Sequence, residues 1–140
     1  MDADRVRLSI LVRRAAPEIV RALVEEAARS TSADSATAAE RRELLADRIA
    51  RGLPVALDAI AADDVLRSRL LASLAERASA NEPVAIPPLV RAGLVAIGLR
   101  LAREHLARAV AGEPGADGVL RELDTYAAAV REAIAPYVRS

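Results

Sequence analysis

The chain has no cysteine, no tryptophan and no phenylalanine. Without cysteine, disulfides, thiolate metal sites and thiol chemistry are excluded. Tyr126 and Tyr137 are the only aromatic residues of the Phe, Tyr and Trp class, so the core must be aliphatic. Lysine is missing as well: all twenty basic residues are arginine, and twenty acidic residues balance them to a net charge of zero. The balance holds in each part, twelve against twelve through residue 70 and eight against eight after it. No field exists to draw in a polyanion, and nucleic acid is not an expected partner. Long hydrophobic runs are also absent. The longest uncharged stretches, 83–90 and 92–99, fall far below the ~20 residues of a membrane span. The opening "MDADRVRLSILVRR" begins with acids and lacks the basic start of a signal peptide. A cytoplasmic chain with no membrane contact is the expectation.

What the sequence has is alanine and branched aliphatics. Among 140 residues, 33 are Ala and 38 are Leu, Ile or Val, enough for one folded domain built from the best helix former. Exclusive arginine beside abundant alanine reads as the footprint of a GC-rich bacterial genome. The expected fold is all-α: a single-domain bundle of five or six helices over 1–140. In "AAPEIVRALVEEAARS" Pro17 suits a first helical turn, with Ile19, Val20, Leu23, Val24 and Ala27 on one stripe. Upstream, Val6, Leu8, Ile10 and Val12 alternate like a strand, but a lone strand would have no partner, and we read helix there too. The small polar stretch 30–39 has the composition of a flexible linker. Thr37 and Glu40 read as a capping box, and Gly52 is placed to end that helix. Pro54 then opens a short helix, Asp63 or Asp64 caps the next, and Asn81 and Pro83 close it. Pro87 and Pro88 begin a long helix that runs to Ala111 and stops at Gly112. Its segment 92–99 is apolar all round and predicts a buried central helix near residues 88–111. A last helix from about Val119 to Tyr137 places Leu120, Leu123, Ala127, Val130 and Ile134 on one face, with Pro136 bending its end.

Few residues invite chemistry. His105 is the only histidine and falls at the apolar boundary of its helix, near Leu94, Gly98, Leu101 and Ala109. A packed, structural histidine is the plainest reading. A metal site needs more ligands, and a helical Glu-x-x-His pair would require glutamate where Ala102 stands. Haem ligation by one histidine has no supporting motif, and no cofactor is expected. "HLARAVAG" looks like a phosphotransfer pattern in which His105 accepts the phosphoryl group and Arg108 neutralises it. Arg108 and Ala109 stand where that pattern has Lys and Gly. Asp58, Asp63 and Asp64 are explained by capping and the helix dipole rather than by a carboxylate site. "LADRIARGLPVALDAIAAD" has the look of helix, turn and helix, but its second half carries nothing to read base edges. With no nucleophile beside an identifiable base, the chain is not expected to be an enzyme. Gly93 and Gly98 each weaken a helix interior by ~1 kcal/mol against Ala. They call for close packing by a neighbour or for a small apolar pocket, with Leu94 and Leu101 beside it.

"ELLADRIARGLPVALDAIAADDVLRSRLLASLAERASA", followed by "PPLVRAGLVAIGL", resembles the N-terminal sensory domains of stressosome-type and PucR-like bacterial regulators. The likeness covers residues 43–100 and includes the helix start at Pro87, Leu89, Arg91 and Ala92. It implies a helical, non-haem, globin-like module that receives a signal and dimerises, without catalytic residues. Gly93 lies near a place where that helix often has an aromatic. No effector domain follows, so output would pass through a partner. The resulting expectation is a non-enzymatic regulatory or protein-interaction module, a homodimer or the binder of a regulatory protein, with a possible small apolar ligand. The alternatives are a phosphotransfer domain using His105 and a purely structural self-associating bundle. The N-terminal Val6, Ile10 and Leu11 have no obvious partner within the chain, and they mark the expected dimer face.

Overall fold

A computed structural model describes residues 2–30, 35–80 and 88–138 and shows five helices: α1 (Ala3–Ser30), α2 (Ser35–Ala61), α3 (Asp64–Ala80), α4 (Pro88–Ala109) and α5 (Ala116–Val138). No strand occurs among the described residues. The expected all-α bundle is therefore correct, with five helices. Asn81, Pro83, Pro87 and the linker positions 31–34 lie outside the described residues.

Two helices are longer than the local signals predict. Pro17 does not start a helix but sits inside α1, and the N-terminal alternation is helical from Ala3 onward. An interior proline costs ~3 kcal/mol because it removes one hydrogen bond and crowds the preceding turn. Here Pro17 and Arg13, whose carbonyl loses its donor, are both exposed, so water can serve that carbonyl. On the other side Leu8, Val12, Ala16, Ile19, Leu23 and Ala27 form one uninterrupted buried stripe, and its burial outweighs the break. The same correction applies to α2. Gly52 does not end it and Pro54 does not restart it; one helix passes through both. Pro54 and Ala50 face solvent, while Leu45, Ala59 and Ile60 are buried. The apparent helix-turn-helix is thus a single rod. α2 also begins at Ser35, so the end of the expected linker and the expected cap at Thr37 fall within its first turns.

Other boundaries agree with their chemistry. The Asp63 carboxylate accepts the Leu66 amide at 2.8 Å and caps α3. The α4–α5 turn uses Gly112 and Gly115 at φ of 78° and 79°, a region that favours glycine. Arg7 closes the turn from α1, donating to the Pro114 carbonyl at 2.9 Å.

The hub of the bundle is α1, which packs on α2, α4 and α5, while α3 joins α2 to α5 and α4 also rests on α5. The expected central helix differs: residues 93–99 of α4 are half-buried, with Ala96 exposed, and its buried positions are Ala102 and Leu106. α4 is apolar in its first half because it borders a cavity rather than because it is surrounded.

One polar knot joins α1, α2, α3 and α5. Arg67 on α3 is 2% exposed, yet its guanidinium makes three hydrogen bonds. Nε donates to the Ala59 carbonyl at 3.1 Å, and Nη2 to Ile60 at 2.7 Å and to Glu122 Oε1 at 3.0 Å. The two carbonyls belong to the last turn of α2, where helix acceptors lack partners and the dipole favours a cation. The Arg67 charge also lies 5.4 Å over the Tyr126 ring. Arg5 of α1 joins from the other side, donating to the Ala62 carbonyl at 2.7 Å. Its Nε stands 2.7 Å from Glu122 Oε1, close enough for charge pairing without the alignment of a hydrogen bond.

Arg67→Met should lower stability by about 3 kcal/mol, since it strips a buried carboxylate and two helix-end carbonyls of their donor. Urea unfolding checks this against Val65→Ala, at a side chain 66% exposed, where the change should stay within ~0.5 kcal/mol.

Candidate functional site: an aliphatic cavity between the helices

The apolar interior falls into two clusters. The larger gathers Leu8, Val12, Ile60, Leu71, Leu106 and Leu123 with their neighbours; the smaller is Ala27 and Leu45 with Leu94 against them. Beside them lies a cavity of about 290 Å³ that is partly open to solvent. All five helices contribute to its wall, among them Val12, Ile19 and Leu23 of α1, Leu74 of α3 and Leu99 of α4. α2 and α4 face each other across it without a packed interface among the described residues.

The void has a compositional cause. Gly52 and Ala56 on α2, and Gly98 and Ala102 on α4, all line the cavity, as does Ala16 of α1. Glycine or alanine recurring at four-residue spacing puts the small positions on one helix face, so α2 and α4 each line the space with a thin face. Gly52 has a packing reason of its own: a methyl there would come 3.2 Å from Leu74 Cδ1. At Gly98 a methyl would meet only Leu23 Cδ2, at an ordinary 3.5 Å.

Of the residues expected around a pocket, Gly98 and Leu94 line this one. Gly93 and Leu101 do not; a methyl on Gly93 would meet nothing within 4 Å. Gly52 and Ala56 were missed because Gly52 beside a proline reads as a helix end. The signal available was the repeated Gly-x-x-x-Ala on two helices.

The wall holds little polarity. Arg48 is its one charged side chain among the described lining residues. Tyr126 lines it too, but its hydroxyl already donates to the Ala56 carbonyl at 2.8 Å. Burial pushes the Tyr126 phenol up to about 12, with the Arg67 charge acting the other way.

Of the other candidate residues, His105, Asp58 and Asp64 face partners on α1. His105 Nε2 lies 3.7 Å from Glu18 Oε2 of α1, and its side chain is 27% exposed. Arg108 is exposed. Asp58 pairs with Arg13 at 2.9 Å and Asp64 with Arg5, whose hydrogen bond holds the Asp64 carboxyl below its usual value. With Asp63 occupied as a cap, the three aspartates are engaged separately. No group of three or more potential metal ligands gathers among the described residues, and no described helix is long and apolar enough to cross a membrane. At the expected dimer face, Leu11 packs on the core, Ile10 is 47% exposed and Val6 is half-buried beside Arg7.

The chain matches no family model, and no curated protein or solved structure is significantly similar to it.

The Tyr126 environment fixes a pH dependence. The folded state keeps the phenolic proton to about 12, whereas an unfolded tyrosine releases it near ~10. The stabilisation is therefore complete below about pH 10 and is lost as pH rises toward 12, by roughly 2–3 kcal/mol in all. Urea unfolding from pH 8 to 12 should show this fall, and Tyr126→Phe should flatten it.

Proposed function

We propose that this chain is a non-enzymatic sensory or regulatory module whose input is a small apolar ligand held in the interhelical cavity. One observation carries the reading: a partly open, aliphatic cavity of about 290 Å³ lined by all five helices, the kind of concave apolar site that small ligands occupy. Its size falls at the lower end of the range for small-ligand sites. The proposal accords with the resemblance to helical sensory domains. Because α1, α2 and α4 all border the cavity, a ligand that fills it acts on the helices whose mutual packing defines the bundle. Output would pass to a protein partner or to a second copy of the chain, for which the exposed Ile10 on α1 offers a contact.

Apolar probes test the reading directly. Cyclohexane and decan-1-ol are added separately to the purified chain below saturation, and thermal unfolding is followed by circular dichroism. At least one should raise Tm by several degrees, as a ligand specific to the folded state must. Gly98→Leu, whose side chain enters the cavity, should fold and lose the shift. A Tm unmoved by either probe rules the reading out.

In this proposal His105 is a structural tie and not a phosphoryl carrier. The Glu18 carboxylate facing its Nε2 opposes the approach of an anionic phosphoryl donor. Incubation with a phosphorylated receiver domain should leave no acid-labile label on the chain. Stoichiometric label abolished by His105→Gln would establish the phosphotransfer alternative instead.

A further inference from the structure

The residues lining the cavity extend along the helix axes, and its two ends differ. On α1 its wall runs from Val12 to Leu23, eleven residues of helix rise or ~16 Å. On α2 it runs from Arg48 to Ile60, ~18 Å by the same rise. Ion pairs Arg13 to Asp58 and Arg42 to Glu25 set α1 and α2 antiparallel, so these walls are two staves of one channel.

Volume and length together select a shape. About 290 Å³ is roughly twice the ~150 Å³ that admits benzene in an aliphatic cavity. The space therefore suits roughly ten to twelve non-hydrogen atoms. Spread over ~16 Å, that many atoms make one extended chain. A compact ring system of equal volume would leave part of that length unfilled.

Polarity selects an orientation. The end at Val12, Ile60 and Tyr126 is apolar, and the Tyr126 hydroxyl is engaged with Ala56. The antiparallel register places Arg48 level with Val20 and Leu23, at the opposite end. A guanidinium has five donors and no acceptor, so the polar group that matches Arg48 is a hydrogen-bond acceptor. A cationic head would meet its like charge.

We infer that the cavity takes a single unbranched alkyl amphiphile of about ten to twelve carbons, its tail toward Tyr126 and a hydrogen-bond-accepting, neutral or anionic head at Arg48. The assignment rests on the ligand-sensing reading above and adds the ligand's shape and polarity.

The test is calorimetric titration of the full chain with decanoate, decan-1-ol, decylammonium, adamantane-1-carboxylate and cyclohexane, each below its aggregation or solubility limit. Decanoate and decan-1-ol should bind one per chain, with decylammonium and adamantane-1-carboxylate at least tenfold weaker. Arg48→Met should weaken decanoate about tenfold and leave cyclohexane unchanged. The unaltered chain decides the matter even if that variant does not fold. Decylammonium binding as tightly as decanoate overturns the placement of the head. Adamantane-1-carboxylate or cyclohexane binding more tightly than both decyl acceptors overturns the extended-chain assignment while the sensory reading stands. Failure of all five compounds overturns both.

Discussion

The constraint on which the architecture rests is the end of α2. A helix that stops at Ala61 inside a bundle leaves carbonyls without donors, and buried acceptors of that kind destabilise a fold unless something reaches them. Here a guanidinium from α3 takes Ala59 and Ile60, and another from α1 takes Ala62. One buried and one part-buried cation would be costly without an anion beside them. Glu122 on α5, its side chain 12% exposed, lies between them and balances part of their charge. One short segment, Ala59 to Ala62, thereby fixes where α1, α3 and α5 stand around α2. Such a cluster adds less net stability than it does specificity, because desolvation offsets most of the attraction. Its effect is to admit one arrangement of four helices that are otherwise alike in their alanine and leucine.

The cavity follows from the same composition. A core without phenylalanine or tryptophan fills space with leucine, valine and alanine, and where glycine and alanine from two helices coincide the supply of volume falls short. The knot holds one end of α2 against α3 and α5, and the cluster at Ala27, Leu45 and Leu94 holds the other. Between these two anchored ends lie Gly52 and Ala56, which supply little volume to the space that α2 and α4 both line. Rigid ends and a thin middle make a channel.

Much of the local structure was legible in the residues. Helix was written in the alanine content, the start of α3 in Asp63, and the turn after α4 in Gly112. The stripe Ile19, Leu23 and Ala27 was correctly placed on the buried face. The helix interruptions that failed share one feature: they took Pro17, Gly52 and Pro54 as punctuation. Each weakens a helix by a few kcal/mol at most, which decides the outcome in an isolated segment and not in one whose next turns bury Ile19 or Ile60. Part of the candidate site was legible too, since Gly98 and Leu94 were singled out. Gly52 was not, having been assigned a different role by its neighbour.

By itself the sequence determined that the chain is helical, that its core is aliphatic, and that its charges balance. Those properties depend on composition and on patterns confined to a few turns. Only the tertiary structure decided which arginine is buried, because Arg67 is one of twenty and its partners stand at Ala59 and at Glu122, the latter 55 residues away along the chain. Only it decided that small residues on α2 and α4 line one shared space. Spacing puts residues on a face of one helix; which faces meet, and whether they touch, is set by the packing of the other helices around them.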